Sequence, residues 1–390
     1  MRVSNKCKIC SRKLNLVFNL GTQPLANNLN ITSNQTSKKY PLALYVCSNC
    51  FTLQHKTEVS IKKLYSKYYY SSSVSKGILD NAKIIAQEIK EKFKYKKKIL
   101  EIGSNDGYLL NLLKENFFCV GIDPSINMCK LARKKGLRVE NKFFNKVNSE
   151  YLLKKYGSFD IIIANNVLAH NPNIKELISS IKKILSKDGQ LIVELQDSSA
   201  LLKKALFDMI YHEHFFYFNK LSFLNLLAFN NLKCTKFKII KMHGGSMRVY
   251  AEHSKNKLKA KDNEKIKTTI KKFREISKIR DAKIKKFFKE NRNKKIFIYG
   301  AAAKTTVFVN YYKINEKEVK YVIDDTILKQ KKYIPNTKIK IMKEAIITED
   351  KPDYIIIGAW NYFDYIKKKL KYVKKWNGKI VTFFPDYKLI

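Results

Sequence analysis

The stretch KKILEIGSNDGYLLNLLKENFFCVGIDP, Lys97 to Pro124, decides the fold. Ile99, Leu100 and Ile102 form the short apolar run of a buried parallel strand. Gly103 and Gly107 let the loop behind that strand pass close to a ligand with no Cβ in the way. A helix follows, and a second apolar run, Cys119 to Ile122, ends in Asp123. That is where a doubly wound α/β fold places a carboxylate to accept from ribose hydroxyls. The order strand, glycine loop, helix, strand, acid therefore predicts a pocket for a nucleoside-bearing ligand.

The loop is acidic, which narrows the ligand. A pyrophosphate held on helix N-terminal amides is repelled by neighbouring carboxylates, and here Glu101 and Asp106 flank the first glycine. They suit a ligand with a cationic amino-acid end, such as S-adenosylmethionine with its α-ammonium and sulfonium; other Rossmann-like ligands stay open, because such loops also match by chance. The expected cofactor set is Glu101, Gly103, Ser104, Asn105, Asp106, Gly107, Asp123 and Pro124. A further strand, Phe159 to Ala164, runs into Asn165, Asn166 and then His170. Carboxyl ends of strands line the crevice of an open α/β sheet, so these three belong beside the cofactor.

With 390 residues the chain has room for two or three domains. The N-terminus MRVSNKCKICSRK lacks an apolar leader, and no apolar run reaches the roughly 18 residues of a bilayer span, so a cytoplasmic protein with no membrane partner is expected. The net charge is +45, from 78 basic and 33 acidic residues, a balance that ordinarily points to anionic partners. The lysines are spread through the chain, so nucleic acid is not the expected partner. Only Lys255 to Lys295 is a dense basic run. It reads as a solvated linker helix with an apolar stripe of Ile266, Ile270, Phe273, Ile276, Ile279, Ile284 and Phe287.

Cys119, Cys129 and Cys234 stand singly among apolar neighbours and read as core thiols. Cys7, Cys10, Cys47 and Cys50 form two C-x-x-C pairs, the spacing of a tetrahedral thiolate zinc site in a reducing compartment. Four thiolates leave zinc no open position, so the metal is expected to be structural. The segment it closes has few large apolar residues, which is why a staple is needed.

Between this module and the glycine loop, YSKYYYSSSVS (residues 65–75) reads equally as an aromatic linker or a lid. A helix is expected from about Lys76 to Phe93 and a strand over Gln190 to Leu195, so strands and helices alternate as in a parallel sheet. The segment DMIYHEHFFYFN, Asp208 to Asn219, sets Tyr211, His212, Glu213 and His214 in aromatic surroundings. H-E-H lacks the His spacing of a helical metal site; an imidazole hydrogen-bonded to a carboxylate, acting as a general base, is the stronger expectation. A glycine turn follows at MHGGSMRVY, Met242 to Tyr250. Beyond the basic helix, strands at Ile296, at Tyr321 to Ile323 (ending in Asp324 and Asp325) and at Tyr354 to Ile357 make a second Rossmann-like half. Its small-residue loop ends in Lys304, which suits a phosphate or diphosphate.

In order along the chain, CKIC, CSNC, YYYSSSVS, EIGSNDGYLL, NNVLAH, YHEHFFYF, HGGSMRVY, YGAAAK and DYIIIGAWN resemble the zinc-containing sugar C-methyltransferases of nucleotide-linked deoxy sugars. The resemblance spans essentially the whole chain. It implies an α/β protein in three parts: a zinc-binding module with the Tyr/Ser lid over 1–72, a class I methyltransferase domain over 73–254, and a linker helix with a C-terminal nucleotide-sugar-binding domain over 255–390. It implies S-adenosylmethionine and structural zinc as cofactors and a dTDP-linked 4-keto-deoxy sugar as substrate, in a monomer or weak homodimer. By the same resemblance His214 is the base that takes the C3 proton, Glu213 and Tyr211 shape its site, and His170 lies near the keto oxygen. Tyr70 or Tyr68 closes over the sugar with Ser72; His243, Gly245, Ser246, Lys304, Asp324 and Asn361 complete the substrate set.

Two departures fall in the C-terminal part. Thr305 and Thr306 follow Lys304 where a glycine is common, and Lys331 and Asn336 stand where glycines are usual. They put the nucleotide contact in question more than the methyl transfer. An S-adenosylmethionine-dependent RNA methyltransferase and a non-catalytic zinc scaffold are the rival readings.

Overall fold

The computed structural model describes residues 5–57, 59–61, 64, 76–93, 97–240, 245–256 and 265–390. The Tyr/Ser segment, with Tyr68, Tyr70 and Ser72, lies outside them, as does His243.

The glycine-loop stretch folds as its pattern predicts, at the centre of a seven-stranded sheet. Its strands are β4 (Lys98–Ile102), β5 (Phe118–Ile122), β6 (Arg138–Glu140), β7 (Phe159–Asn165), β8 (Leu185–Gln196), β10 (Leu232–Ile240) and β11 (Ser246–His253), in the spatial order β6-β5-β4-β7-β8-β11-β10. The first five run parallel, and β11 is antiparallel to both β8 and β10. The order reverses at β4 and β7, so the ligand crevice opens over their carboxyl ends. This is the class I methyltransferase arrangement of a Rossmann-like sheet. Helix α1 (Lys76–Lys92) covers one face through Ala82, Ile85 and Ile89.

The first part of the chain adds β1 (Leu14–Pro24), β2 (Lys39–Cys47) and β3 (Leu53–Gln54), an antiparallel sheet completed by β9 (Phe216–Tyr217) from the middle of the chain. The segment expected to lack its own core does lack one. Val17, Leu20, Leu42 and Leu44 pack into a cluster that also contains Phe207, Ile210, Phe273, Phe308 and Phe384.

The second half forms a six-stranded sheet: β12 (Ile296–Tyr299), β13 (Tyr321–Ile323), β14 (Lys340–Met342), β15 (Tyr354–Ile357), β16 (Lys379–Thr382) and β17 (Lys388–Leu389), ordered β14-β13-β12-β15-β16-β17. All neighbours are parallel except the edge strand β17. The expected second Rossmann-like half is present.

The basic run is α2 (Ile266–Glu290), and it is more than a solvated linker. Ile266, Phe273, Ile284 and Phe287 are buried as expected, whereas Ile279 is 62% exposed and Arg280 is turned inward. The Arg280 guanidinium donates to the carbonyls of Lys204, Ala205, Phe383 and Pro385, at 2.5–3.0 Å. Arg274 donates to the carbonyls of Leu16 and Val17. One helix thus bonds all three parts of the chain, because a guanidinium can satisfy several carbonyls at once. Of the single cysteines, Cys119 and Cys129 are buried, but Cys234 is only partly so, since β10 packs one face.

The departures from glycine keep the geometry that glycine serves. Lys331 has φ +66° and Asn336 φ +57°, both in the left-handed region. Asn336 also accepts from the Ser37 amide through Oδ1 at 2.9 Å, and the neighbouring Tyr333 exchanges backbone hydrogen bonds with Asn30. Thr306 donates to the Ala26 carbonyl at 2.9 Å and Thr305 to the Gly300 carbonyl at 2.6 Å. Asn336 and Thr306 thus fasten the first part of the chain to the second half, whereas Thr305 and Lys331 bond within the second half. A Cβ held left-handed costs about 1 kcal/mol, more for lysine than for asparagine. Lys331→Gly is therefore expected to raise the unfolding midpoint in a denaturant titration; an unchanged or lower midpoint contradicts this account.

Candidate functional site

The cofactor crevice is built by close approach. Gly103 (φ +70°) lies where a Cβ would meet Val167 Cγ2 at 2.6 Å, and Gly107 (φ +73°) where it would meet Leu137 Cδ1 at 2.2 Å. Asn105, at φ +51°, donates its amide to Asp123 Oδ2 at 2.9 Å, while Oδ1 accepts from the Ser125 amide at 2.8 Å, beyond Pro124. Burial raises the Asp123 carboxyl even so, with these two amides opposing. Ser104 is buried with its hydroxyl against Gly121.

Glu101 stands apart from the other acids. It is 1% exposed, and among the described residues neither carboxylate oxygen has a hydrogen-bond partner. Burial pushes its pKa well up, with Asp123 and Asp106 adding to the shift. Asn165 Oδ1 is likewise buried without a partner at the end of β7. Unsatisfied acceptors beside a glycine cradle fit a cationic, donor-rich ligand such as the amino-acid end of S-adenosylmethionine. Asp106 Oδ2 lies 3.4 Å from the Lys135 ammonium, which also bonds the Asp106 carbonyl.

Next to the crevice a cavity is lined by Asn166, His170, Gln196, Asp197, His214 and Trp360, among others. Two of these lining residues are held from behind: the Asp197 amide donates to the Gly245 carbonyl at 3.1 Å, and Gln196 pairs with Ser246. The segment Asp208 to Asn219 turns sharply here: the His214 amide donates to the Tyr211 carbonyl at 3.1 Å. That turn brings the Tyr211 hydroxyl to 2.9 Å from His214 Nε2. It also sends Glu213 the other way, where its carboxylate accepts from the Asn27 side chain at 2.9 Å. The expected imidazole–carboxylate pair is therefore corrected to an imidazole–phenol pair. Burial raises the Glu213 carboxyl. His212 faces the N-terminal part beside His55 and Tyr40, away from the cavity.

His170 packs its ring 4.7 Å from that of His214 and bonds the Glu213 carbonyl through Nδ1 at 2.9 Å. A carbonyl only accepts, so Nδ1 carries the proton, and burial lowers the ring's pKa to about 4. The neutral ring offers Nε2 as an acceptor.

A second cavity shares the Trp360 wall and is lined by Asp208, Lys304, Thr305 and Gly358. Lys304 donates to Asn361 Oδ1 at 2.8 Å and sits 4.2 Å over the Trp360 ring; burial lowers its pKa to about 8. Trp360 Nε1 donates to Asp208 at 2.6 Å, and burial raises Asp208 to about 6. Asp208 and Trp360 lie inside quoted motifs but had no role in the sequence reading. Asp324 repeats the Asp123 arrangement, accepting from the Ala301 and Thr326 amides, with Lys329 at 3.4 Å.

The four thiols of Cys7, Cys10, Cys47 and Cys50 lie within 4.8 Å of one another. Amides of Ile9 and Asn49 donate to the sulfurs of Cys7 and Cys47, as in a zinc knuckle. An all-sulfur set at this spacing fits a tetrahedral zinc ion with no coordination position left for substrate.

Comparison with known proteins follows this division. The "Putative zinc binding domain" family matches residues 7–65, the "Methyltransferase domain" family 76–236, and the "C-methyltransferase C-terminal domain" family 241–385. The protein is 26% identical over 412 aligned residues to the C-methyltransferase NovU of Streptomyces niveus, covering 100% of this chain and 98% of that one. The chain is an S-adenosylmethionine-dependent C-methyltransferase. Its central part is also 31% identical over 121 residues to the ubiquinone/menaquinone biosynthesis C-methyltransferase UbiE of Wigglesworthia glossinidia brevipalpis, covering 29% of this chain and 48% of UbiE. Among solved structures, the magnesium protoporphyrin IX methyltransferase ChlM of Synechocystis PCC 6803 with bound SAM aligns with TM-score 0.36 at 15% identity, covering 46% of this chain and 80% of that one. Among the described residues no helix is long and apolar enough to cross a membrane.

Two expectations come from this geometry. Glu101→Gln should raise the unfolding midpoint of the cofactor-free C-methyltransferase and weaken S-adenosylmethionine binding by calorimetry about tenfold or more, since a charge-assisted bond is lost; unchanged binding contradicts the assignment. His55 and His212 are held neutral by burial, at about 3 and about 4, with Lys8 also lowering His55. Unfolded, both titrate near 6.5, so the unfolded chain binds more protons below that pH. Stability should fall as pH drops below about 6.5, and His212→Gln should flatten that fall in unfolding midpoints.

Proposed function

We propose that this enzyme transfers the methyl group of S-adenosylmethionine to C3 of a nucleotide-linked 4-keto-deoxy sugar, dTDP being the nucleotide, for branched-sugar synthesis. The observation that carries this reading is the adjacency of two cavities across Trp360. One is lined by His214, whose Nε2 lies 2.9 Å from the Tyr211 hydroxyl, and the other by the buried Lys304 ammonium. A proton-transfer pair next to an isolated cation suits a substrate with a weakly acidic carbon at one end and a diphosphate at the other. The full-length similarity to a C-methyltransferase agrees with carbon as the acceptor.

S-adenosylmethionine supplies the electrophilic methyl. The protein's task is to make the sugar carbon nucleophilic. A ring C–H is too weak an acid for imidazole alone, but the adjacent ketone spreads the resulting charge onto oxygen as an enolate. His214 takes the C3 proton. The Tyr211 phenol, bonded to that imidazole at rest, turns to donate to the developing oxyanion, an interaction of several kcal/mol in order of magnitude. His170 fixes the turn through the Glu213 carbonyl and buttresses the His214 ring. Lys304 and Asn361 hold the diphosphate, and Gly245 and Ser246 border the sugar. Asp324, with both oxygens engaged by amides, closes the loop below.

The test is His214→Asn in the full-length enzyme. Methylated-sugar formation by mass spectrometry is expected to fall about 10²- to 10⁴-fold, with S-adenosylmethionine affinity unchanged. Near wild-type turnover in this variant removes His214 from the reaction.

A further inference from the structure

We propose that Gln54 is a positioning residue that couples the thiolate metal site to the turn carrying His214. Its side chain is fully buried, and both ends of its amide are used. Nε2 donates to Cys7 Sγ at 3.1 Å, and Oε1 accepts from the Lys8 amide at 3.0 Å. Its backbone pairs with Phe216, and that of Leu53 with Tyr217. The same two-residue strand therefore touches a metal ligand with a side chain and the catalytic segment with its main chain.

The path onward is short. Tyr217 Oη accepts from the Tyr211 amide at 3.0 Å and donates to the Tyr211 carbonyl at 3.3 Å, and Tyr211 bonds His214. His55, next to Gln54, donates its amide to the Phe215 carbonyl at 3.3 Å and its Nε2–H to the His212 carbonyl at 3.0 Å. From the opposite side the turn is held by the Phe215 amide on the Ala169 carbonyl and by His170 on the Glu213 carbonyl. The turn is thus clamped between residues 168–170 and the strand that Gln54 anchors. A metal held by the four sulfurs would fix Cys7 Sγ, and with it the Gln54 amide that donates to that sulfur, so metal binding would tighten this side of the clamp.

The inference rests on His214 as the base, but its test does not. Hydrogen exchange of residues 211–217 is followed in the full-length protein, metal-loaded and then chelator-stripped under reducing conditions. Exchange is expected to rise about tenfold or more on stripping, with Ile296–Tyr299 unchanged as the control. Gln54→Met should release zinc to a chelator about tenfold faster, the size of effect typical of a ligand's hydrogen-bond partner. While still loaded it should show the faster exchange at 211–217 and a displaced pH profile of methylation, with the KM for S-adenosylmethionine unchanged. Gln54→Glu keeps the acceptor for Lys8 but loses the donor, and should repeat the faster metal release. Equal exchange at 211–217 in loaded and stripped wild type overturns the coupling. So does a Gln54→Met protein that loses zinc faster with exchange and pH profile unmoved. If His214→Asn stays active while stripping still loosens 211–217, the coupling stands and the base assignment fails.

Discussion

Residues 5–57 bury too little to fold alone, and much of the architecture follows from that constraint. The segment is closed by four cysteines, lends Leu42 and Leu44 to a cluster shared with both α/β halves, and completes its sheet with Phe216–Tyr217. Because the borrowed strand lies two residues beyond His214, the module is built against the turn proposed to carry the base. A closed tetrathiolate site needs no catalytic role to matter here; a metal in it would fix the end of the sheet against which residues 211–217 fold.

The two α/β halves meet along a seam where buried polar groups answer one another. Arg280 gathers four carbonyls from both sides, and Asp208 accepts from Trp360 across the interface. Such groups are costly to strand, so each bond also specifies how the halves dock. Docking places Lys304 across Trp360 from the cavity that His214 lines. The first half keeps its loop open for a cofactor, with Glu101 unsatisfied; in the second half the loop's helix is tied to the N-terminal part through Thr306 and Ala26.

The fold was largely legible in the sequence. The apolar runs at Ile99, Cys119, Phe159, Ile296, Tyr321 and Tyr354 are the parallel strands observed, because strands buried on both faces read as continuous hydrophobic stretches. The thiol cluster was legible from spacing. Orientation within the site was not. Four polar residues in a row at 211–214 do not reveal which side of a turn each takes, so Glu213 was read as the partner of an imidazole, a place that Tyr211 occupies. Tautomers are equally invisible until the Glu213 carbonyl is seen against His170. Long-range partners such as Gln54, Asn27, Asp208 and Arg280 carry no local pattern at all. Arg280 was read as part of a solvated basic helix because one guanidinium turned inward leaves the lysine-rich periodicity almost unchanged.

The most direct test of the central claim follows the fate of one carbon. The full-length enzyme is incubated with S-adenosylmethionine and a 4-keto-6-deoxy nucleotide sugar, and in parallel with the sugar alone in heavy water, and C3 is read by nuclear magnetic resonance and mass spectrometry. The account predicts one methyl on C3 in the first reaction and solvent deuterium at the same carbon in the second. An enzyme that binds S-adenosylmethionine yet leaves C3 with neither methyl nor deuterium contradicts it.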